Sequence, residues 1–208
     1  MTIRIEKDFL GLVNVPSTAY YGAQTQRAID NFPITGLTIS HFPELIKALA
    51  IVKQSAALAN HKVGNLNEIK TQAISKACDD IIDGKYHDQF CVDLIQGGAG
   101  TSTNMNANEV IANVALQHLG EEKGSYNHLH PNNDVNMAQS TNDAYPTSIR
   151  LAIMIANQPL MEVIEELVAA LRNKSAEFEN VVKMGRTQLQ DAVPMTLGQE
   201  FEAFAETL

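Results

Sequence analysis

Apolar residues recur at helical spacing along most of the chain. Leu45, Leu49, Val52, Ala56 and Ala59 fall on one stripe, and Pro43 suits the first turn of the helix they predict. A second helix is expected over residues 67–83. Its apolar face is Ala73, Ile74, Ala77, Cys78, Ile81 and Ile82, and Gly84 marks its end. A third, over 104–119, turns Met105, Val110, Val114 and Leu119 inward. The longest periodic stretch runs from about 143 to 180 and keeps Ile149, Ile153, Leu160, Leu167, Leu171 and Phe178 in register. Pro146 fits its first turn, and Pro159 should kink it. Roughly 35 helical residues would be about 50 Å long, near three times the usual helix. A small domain cannot bury such a stripe, so the pattern predicts a long bundle or an oligomer. Thr196 and Gln199 have capping-box spacing and open a last helix with Leu197, Phe201, Phe204, Ala205 and Leu208 on one face.

Between these stretches the first forty residues, the segment 120–142 and the segment 185–196 predict irregular structure. Pro16, Gly22, Pro33 and Gly36 punctuate the first of them. The expected fold is all-α. A mostly helical N-terminal domain covers 1–139, and the beginning of a helical-bundle domain covers 140–208. The last helix reaches Leu208 with no stop signal, so the chain reads as the N-terminal portion of a longer protein.

Charge narrows the partners. Fifteen Lys+Arg against 24 Asp+Glu leave a net charge of −9, which disfavours nucleic acid and anionic membranes. With 45% apolar and 19% charged residues the chain is globular rather than disordered. No apolar run approaches the ~20 residues of a membrane span, and the start lacks a signal-peptide stretch. Cys78 and Cys91 form no disulfide framework, so a cytoplasmic location is expected. Cys91, between Phe90 and Val92, reads as buried rather than nucleophilic, and His118 as a satisfied helix residue. The six His residues show no metal-ligand spacing, and no metal site is expected.

Three polar stretches could carry chemistry. Gln96-Gly97-Gly98-Ala99-Gly100-Thr101-Ser102-Thr103-Asn104-Met105-Asn106 opens a predicted helix, where backbone N–H groups and the helix dipole favour an anion. It lacks the Lys of a phosphate-binding loop and the spacing of a dinucleotide fingerprint. The plainer reading is a Gly-rich turn. His130-Pro131-Asn132-Asn133-Asp134-Val135-Asn136-Met137-Ala138-Gln139-Ser140-Thr141-Asn142-Asp143 leads into the long helix; one cap needs one side chain, and here three adjacent polar groups stand ready. Met184-Gly185-Arg186-Thr187-Gln188-Leu189-Gln190-Asp191-Ala192-Val193-Pro194-Met195 lies between helices, either as a functional loop or as an ordinary connection. Together these residue types suit a small anionic ligand held by neutral hydroxyls and amides.

The three stretches, with Pro16-Ser17-Thr18-Ala19-Tyr20-Tyr21-Gly22 before them, resemble the aspartase/fumarase superfamily over nearly the whole chain. Gly98-Ala99-Gly100-Thr101-Ser102-Thr103-Asn104, Ser140-Thr141-Asn142 and Gln188 resemble its aspartase branch, whereas His130-Pro131-Asn132 is more similar to fumarases, where that segment forms a secondary carboxylate site. The resemblance implies an all-α homotetramer that converts L-aspartate reversibly to fumarate and ammonia through a Cβ carbanion. It implies that Thr101, Ser140 and Thr141 hold the β-carboxylate, that Asn142 and Gln188, with Thr101, hold the amino group, and that Thr187 holds the α-carboxylate. It implies no organic cofactor; activation by a divalent metal is not readable. The family's serine base sits in a Ser-Ser-x-Met-Pro loop absent from these residues, so no catalytic base is assigned and the base is expected beyond Leu208. The alternatives are a class II fumarate hydratase and a non-catalytic helical oligomerisation fragment.

Overall fold

The first forty residues are more regular than expected. In the computed structural model, which describes residues 2–208, β1 (Ile3–Asp8) pairs antiparallel with β2 (Gly11–Pro16), from Ile3 opposite Pro16 to Asp8 opposite Gly11. The strand alternates, but with its polar side chains inward. Arg4 donates to the carbonyls of Ala19 and Tyr21, and Glu6 accepts from Ala23 N, while Ile3 and Ile5 face out. An inverted alternation carries no hydrophobic signal, which is why the pattern of apolar positions does not show this strand. The helix α1 (Ala23–Asn31) follows. Its first turn is held by Glu109, which accepts from the backbone of Gly22, Gln24 and Thr25 and from the Thr25 hydroxyl. A carboxylate there suits the positive end of the helix dipole.

Three helices form the core of the first unit: α2 (Pro43–Lys62), α3 (Glu68–Ile82) and α4 (Thr101–His118). The buried face of α2 is Ile46, Leu49, Ala50, Lys53, Ala57 and Asn60, whereas Ala59 is exposed. The expected apolar stripe lies off the true face, because that face includes a lysine and an asparagine. The α3 helix matches its expectation, and Asn67 caps it by accepting from Lys70 N at 2.9 Å. The α4 helix starts at Thr101, three residues before the expected start, and residues 103–116 are all buried. It is a central helix enclosed on every side, not an amphipathic one. Its buried polar groups find partners elsewhere: Asn106 donates to Gln89 O and Asn113 to Tyr20 O. Segment 120–142 is irregular as expected, apart from one wide helical turn over Pro131–Val135.

The long helix α5 (Thr141–Glu177) has 37 residues and is continuous through Pro159. Only Ala144 and Ser148 of it are buried, and Ile153, Leu160, Val163 and Leu167 lie exposed along it. The chain divides within it into two compact units, up to Ile153 and Met154–Leu208.

In the second unit the expected irregular segment is a hairpin. β3 (Val182–Thr187) pairs antiparallel with β4 (Gln190–Thr196), with an irregularity in register between Met184 and Arg186. The capping box of Thr196 and Gln199 is present and starts α6 (Leu197–Thr207). A Cβ on Gly198 would collide with the backbone of Ser175 and Glu179, so a glycine lets α6 approach the end of α5. Phe178 and Phe201 pack there with ring centres 5.7 Å apart. Two hairpins aside, the architecture is all-α.

Candidate active site

Two helix starts meet in the first unit. Gly98, Ala99 and Gly100 take left-handed backbone angles, with φ of +81°, +52° and +91°, and turn the chain into α4. A Cβ on Gly100 would enter the ring of Tyr145, near the start of α5. Glycine is thus required there both by its backbone angle and by the approach of α5. The contact sets Thr101 beside the start of α5. Thr101 is exposed, and its hydroxyl donates to Gly98 O at 2.7 Å.

Ser140 caps α5. Its Oγ accepts from Asn142 N at 3.2 Å, and the Asp143 carboxylate accepts from Ser140 N. The capping reading is therefore correct for Ser140, but it engages that hydroxyl only as an acceptor. Thr141 Oγ1 likewise accepts, from Asn104 Nδ2 at 3.2 Å. A hydroxyl carries one proton as well as its lone pairs. Both hydroxyls are bonded from within the protein and keep a proton to donate outward. Asn142 beside them is exposed.

Behind these groups lies a polar cluster that the sequence pattern does not reveal. Lys53 is fully buried and donates to Asn136 Oδ1 at 2.8 Å and to Gln139 Oε1 at 3.0 Å. Asn104 and Asn108 also donate to Asn136 Oδ1. Burial brings the Lys53 pKa from its ordinary 10.5 to about 7, against the opposing pull of Asp143 and Cys78. The available signal is a lysine four residues after Leu49, on the face that Leu49 buries.

Thr187 and Gln188 adjoin in the second unit. They stand at the tip of the β3–β4 hairpin, and the two turn residues Gln188 and Leu189 have φ of +47° and +62°. Such turns normally take Asn or Gly, since a side chain is strained there. Both Thr187 and Gln188 are exposed, and Arg186 pairs with Asp191 across the turn at 3.1 Å. Thr101, Ser140, Thr141 and Asn142 thus come together in the first unit, and Thr187 and Gln188 in the second.

His130 turns inward as a cap, its Nδ1 accepting from Asn132 N and Asn133 N, and burial lowers its pKa. It lines a cavity of about 440 Å³ with Glu6, Gln24, Glu109 and Asn132. Burial pushes the Cys91 thiol to about 12 and raises Cys78 further, so neither is a nucleophile at neutral pH. His118 pairs with Asp80 at 2.8 Å. Among the described residues no group of three His, Cys, Asp or Glu side chains could hold a metal ion, and no helix is long and apolar enough to cross a membrane.

Hydroxyls and amides thus gather at the start of a long helix on an all-α scaffold. Residues 11–208 match the model of the family described as Lyase, and the chain belongs to that family. It is 62% identical over 205 residues to an aspartate ammonia-lyase of Pseudomonas aeruginosa, covering 99% of this chain and 43% of that relative. A solved fumarate lyase:delta crystallin from Brucella melitensis superposes with a TM-score of 0.96 at 56% identity, covering 99% of this chain and 45% of that one. A class II fumarase from Schistosoma mansoni gives a TM-score of 0.90 at 37% identity, covering 99% and 43%. The chain thus spans about 43% of the length of the curated relatives it matches.

Proposed function

We propose that this chain supplies substrate-binding groups of an aspartate ammonia-lyase, which interconverts L-aspartate with fumarate and ammonia. The observation that carries the reading is the contrast in likeness across nearly the whole chain: 62% identity to an aspartate ammonia-lyase against 37% to a class II fumarase. The site chemistry agrees with it. A Cβ proton beside a carboxylate is very weakly acidic, so its removal needs strong stabilisation of the aci-carboxylate that forms. Preorganised donors supply that in the transition state. Ser140 and Thr141, each already accepting a hydrogen bond, can donate to the β-carboxylate. Thr101 joins them when its hydroxyl turns from Gly98 O toward the ligand. In the first unit Asn142 and Thr101 are assigned to the amino group; in the second, Gln188 is assigned to the amino group and Thr187 to the α-carboxylate.

No residue here is given the role of base, which in this reading belongs to a serine outside residues 1–208. The reading needs no organic cofactor. The exposed apolar side of α5 supports assembly as a homotetramer through a shared helical bundle. The unpaired Cys78 and Cys91 fit a cytoplasmic protein. A class II fumarate hydratase is the second reading, favoured by His130 and Asn132 at the 440 Å³ cavity.

Replacing Thr141 with Ala in the full-length protein tests the reading. It should lower kcat for aspartate by on the order of 10²–10³, as loss of one oxyanion donor does elsewhere. Gln188→Ala should weaken aspartate use more than fumarate binding. If Thr141→Ala melts lower yet turns over near normally, the hydroxyl is a structural partner of Asn104 and not a substrate donor.

A further inference from the structure

Thr141 stands at the end of a run of hydrogen bonds that begins at a buried lysine. Lys53 Nζ donates to Asn136 Oδ1 and Gln139 Oε1. Charged, Nζ can only donate, and neutral it still has two N–H bonds for these two partners, so both present oxygen. Asn136 sends its own Nδ2 the other way, to Gln139 O at 3.0 Å. With its oxygen fixed, Asn136 can only accept on that side. Asn104 Nδ2 meets it at 3.1 Å and Asn108 Nδ2 at 3.2 Å. The Asn104 amide is thereby turned with its NH₂ toward Thr141 Oγ1, and its Oδ1 is left buried without a partner. An orphaned buried acceptor is unfavourable, so something must enforce this direction. The lysine does so, together with the Gln139 carbonyl.

We infer that Asn104 is a positioning residue for the reaction: held with its NH₂ toward Thr141 by the Lys53–Asn136 pair, it fills the acceptor side of the hydroxyl and leaves the Thr141 proton free for an anionic ligand. Reversed, the amide would take that proton on its own oxygen, and Thr141 would present only lone pairs to a carboxylate. The inference rests on the role proposed above for Thr141.

Four variants of the full-length protein test it: Thr141→Val, Asn104→Asp, Asn104→Ala and the double Asn104→Asp/Thr141→Val. Asn104→Asp keeps the shape but replaces the donor with an acceptor. It should lower kcat about as much as Thr141→Val, roughly 100-fold, with a smaller change in KM. The double variant should be no slower than Thr141→Val alone, because both changes remove the same donor. Asn104→Ala leaves the hydroxyl free; it should melt lower, having lost volume and bonds, yet stay within about tenfold of normal turnover. Equal losses in the Asn104→Asp and Asn104→Ala variants, or losses that multiply in the double variant, would overturn the inference. A silent Thr141→Val would instead remove the role of Thr141 itself, and the relay with it. If Asn104→Asp prevents folding, Asn136 asks the same question. Asn136→Asp keeps oxygen toward Lys53 and Asn104 and should stay within about tenfold of normal, whereas Asn136→Leu should lose roughly 100-fold. Equal turnover in that pair contradicts the relay.

Discussion

Lys53 is bonded to two amide oxygens at the heart of the first unit, where a lysine usually has a carboxylate or water. With a native pKa near 7 and an ordinary value of 10.5, the unfolded chain binds more protons between those limits. Stability therefore rises with pH through that window, and the full cost of burying the charge is felt below about 7. From pH 7 to about 8.5 the wild type should gain stability relative to Lys53→Met by about 1 kcal/mol per pH unit, read from urea melts. Above that range Cys78, with its raised pKa, acts in the opposite sense. Parallel slopes for the two proteins would mean that Lys53 stays charged throughout. The hydroxyls of Ser140 and Thr141 are legible in the sequence because three adjacent polar side chains before a helix exceed what one cap uses, whereas Thr101, in a stretch that reads most plainly as a Gly-rich turn, is marked only by the resemblance. Lys53 is not legible, because a pattern read from apolar positions counts a lysine as solvent-facing.

Among the elements, helices with a continuous apolar face or a plain cap are legible, as α3 and the α6 capping box show. The hairpins are not, for separate reasons. β1 points Arg4 and Glu6 inward, and the β3–β4 turn uses Gln188 and Leu189 where Asn-Gly would have announced it. The helix α5 keeps its length and apolar period, yet almost none of it is buried within the chain. Contiguous exposed apolar surface on that scale is unusual for a monomer. The 208-residue chain should self-associate at micromolar concentration in light scattering. Replacing Ile153, Leu160, Val163 and Leu167 together by Gln should reduce the association; a stable monomer in the unaltered chain would contradict the bundle role of α5.

At the scale of the whole molecule, the proposed function assigns carboxylate donors to both units and its base to neither, and the chain spans about 43% of its curated relatives. The resemblance carried by Gly98–Asn104, Ser140–Asn142 and the hairpin tip identifies the family. The bonds that tell which hydroxyl protons are free come only from the folded arrangement of Asn104, Asn142 and Asp143. What separates an ammonia-lyase from a hydratase on this scaffold is which nucleophile adds to fumarate. The decisive measurement is therefore to incubate the full-length protein with fumarate and ammonium and to quantify aspartate and malate together. Ammonium-dependent formation of L-aspartate with little malate is the predicted result; malate formation that ignores ammonium would contradict it.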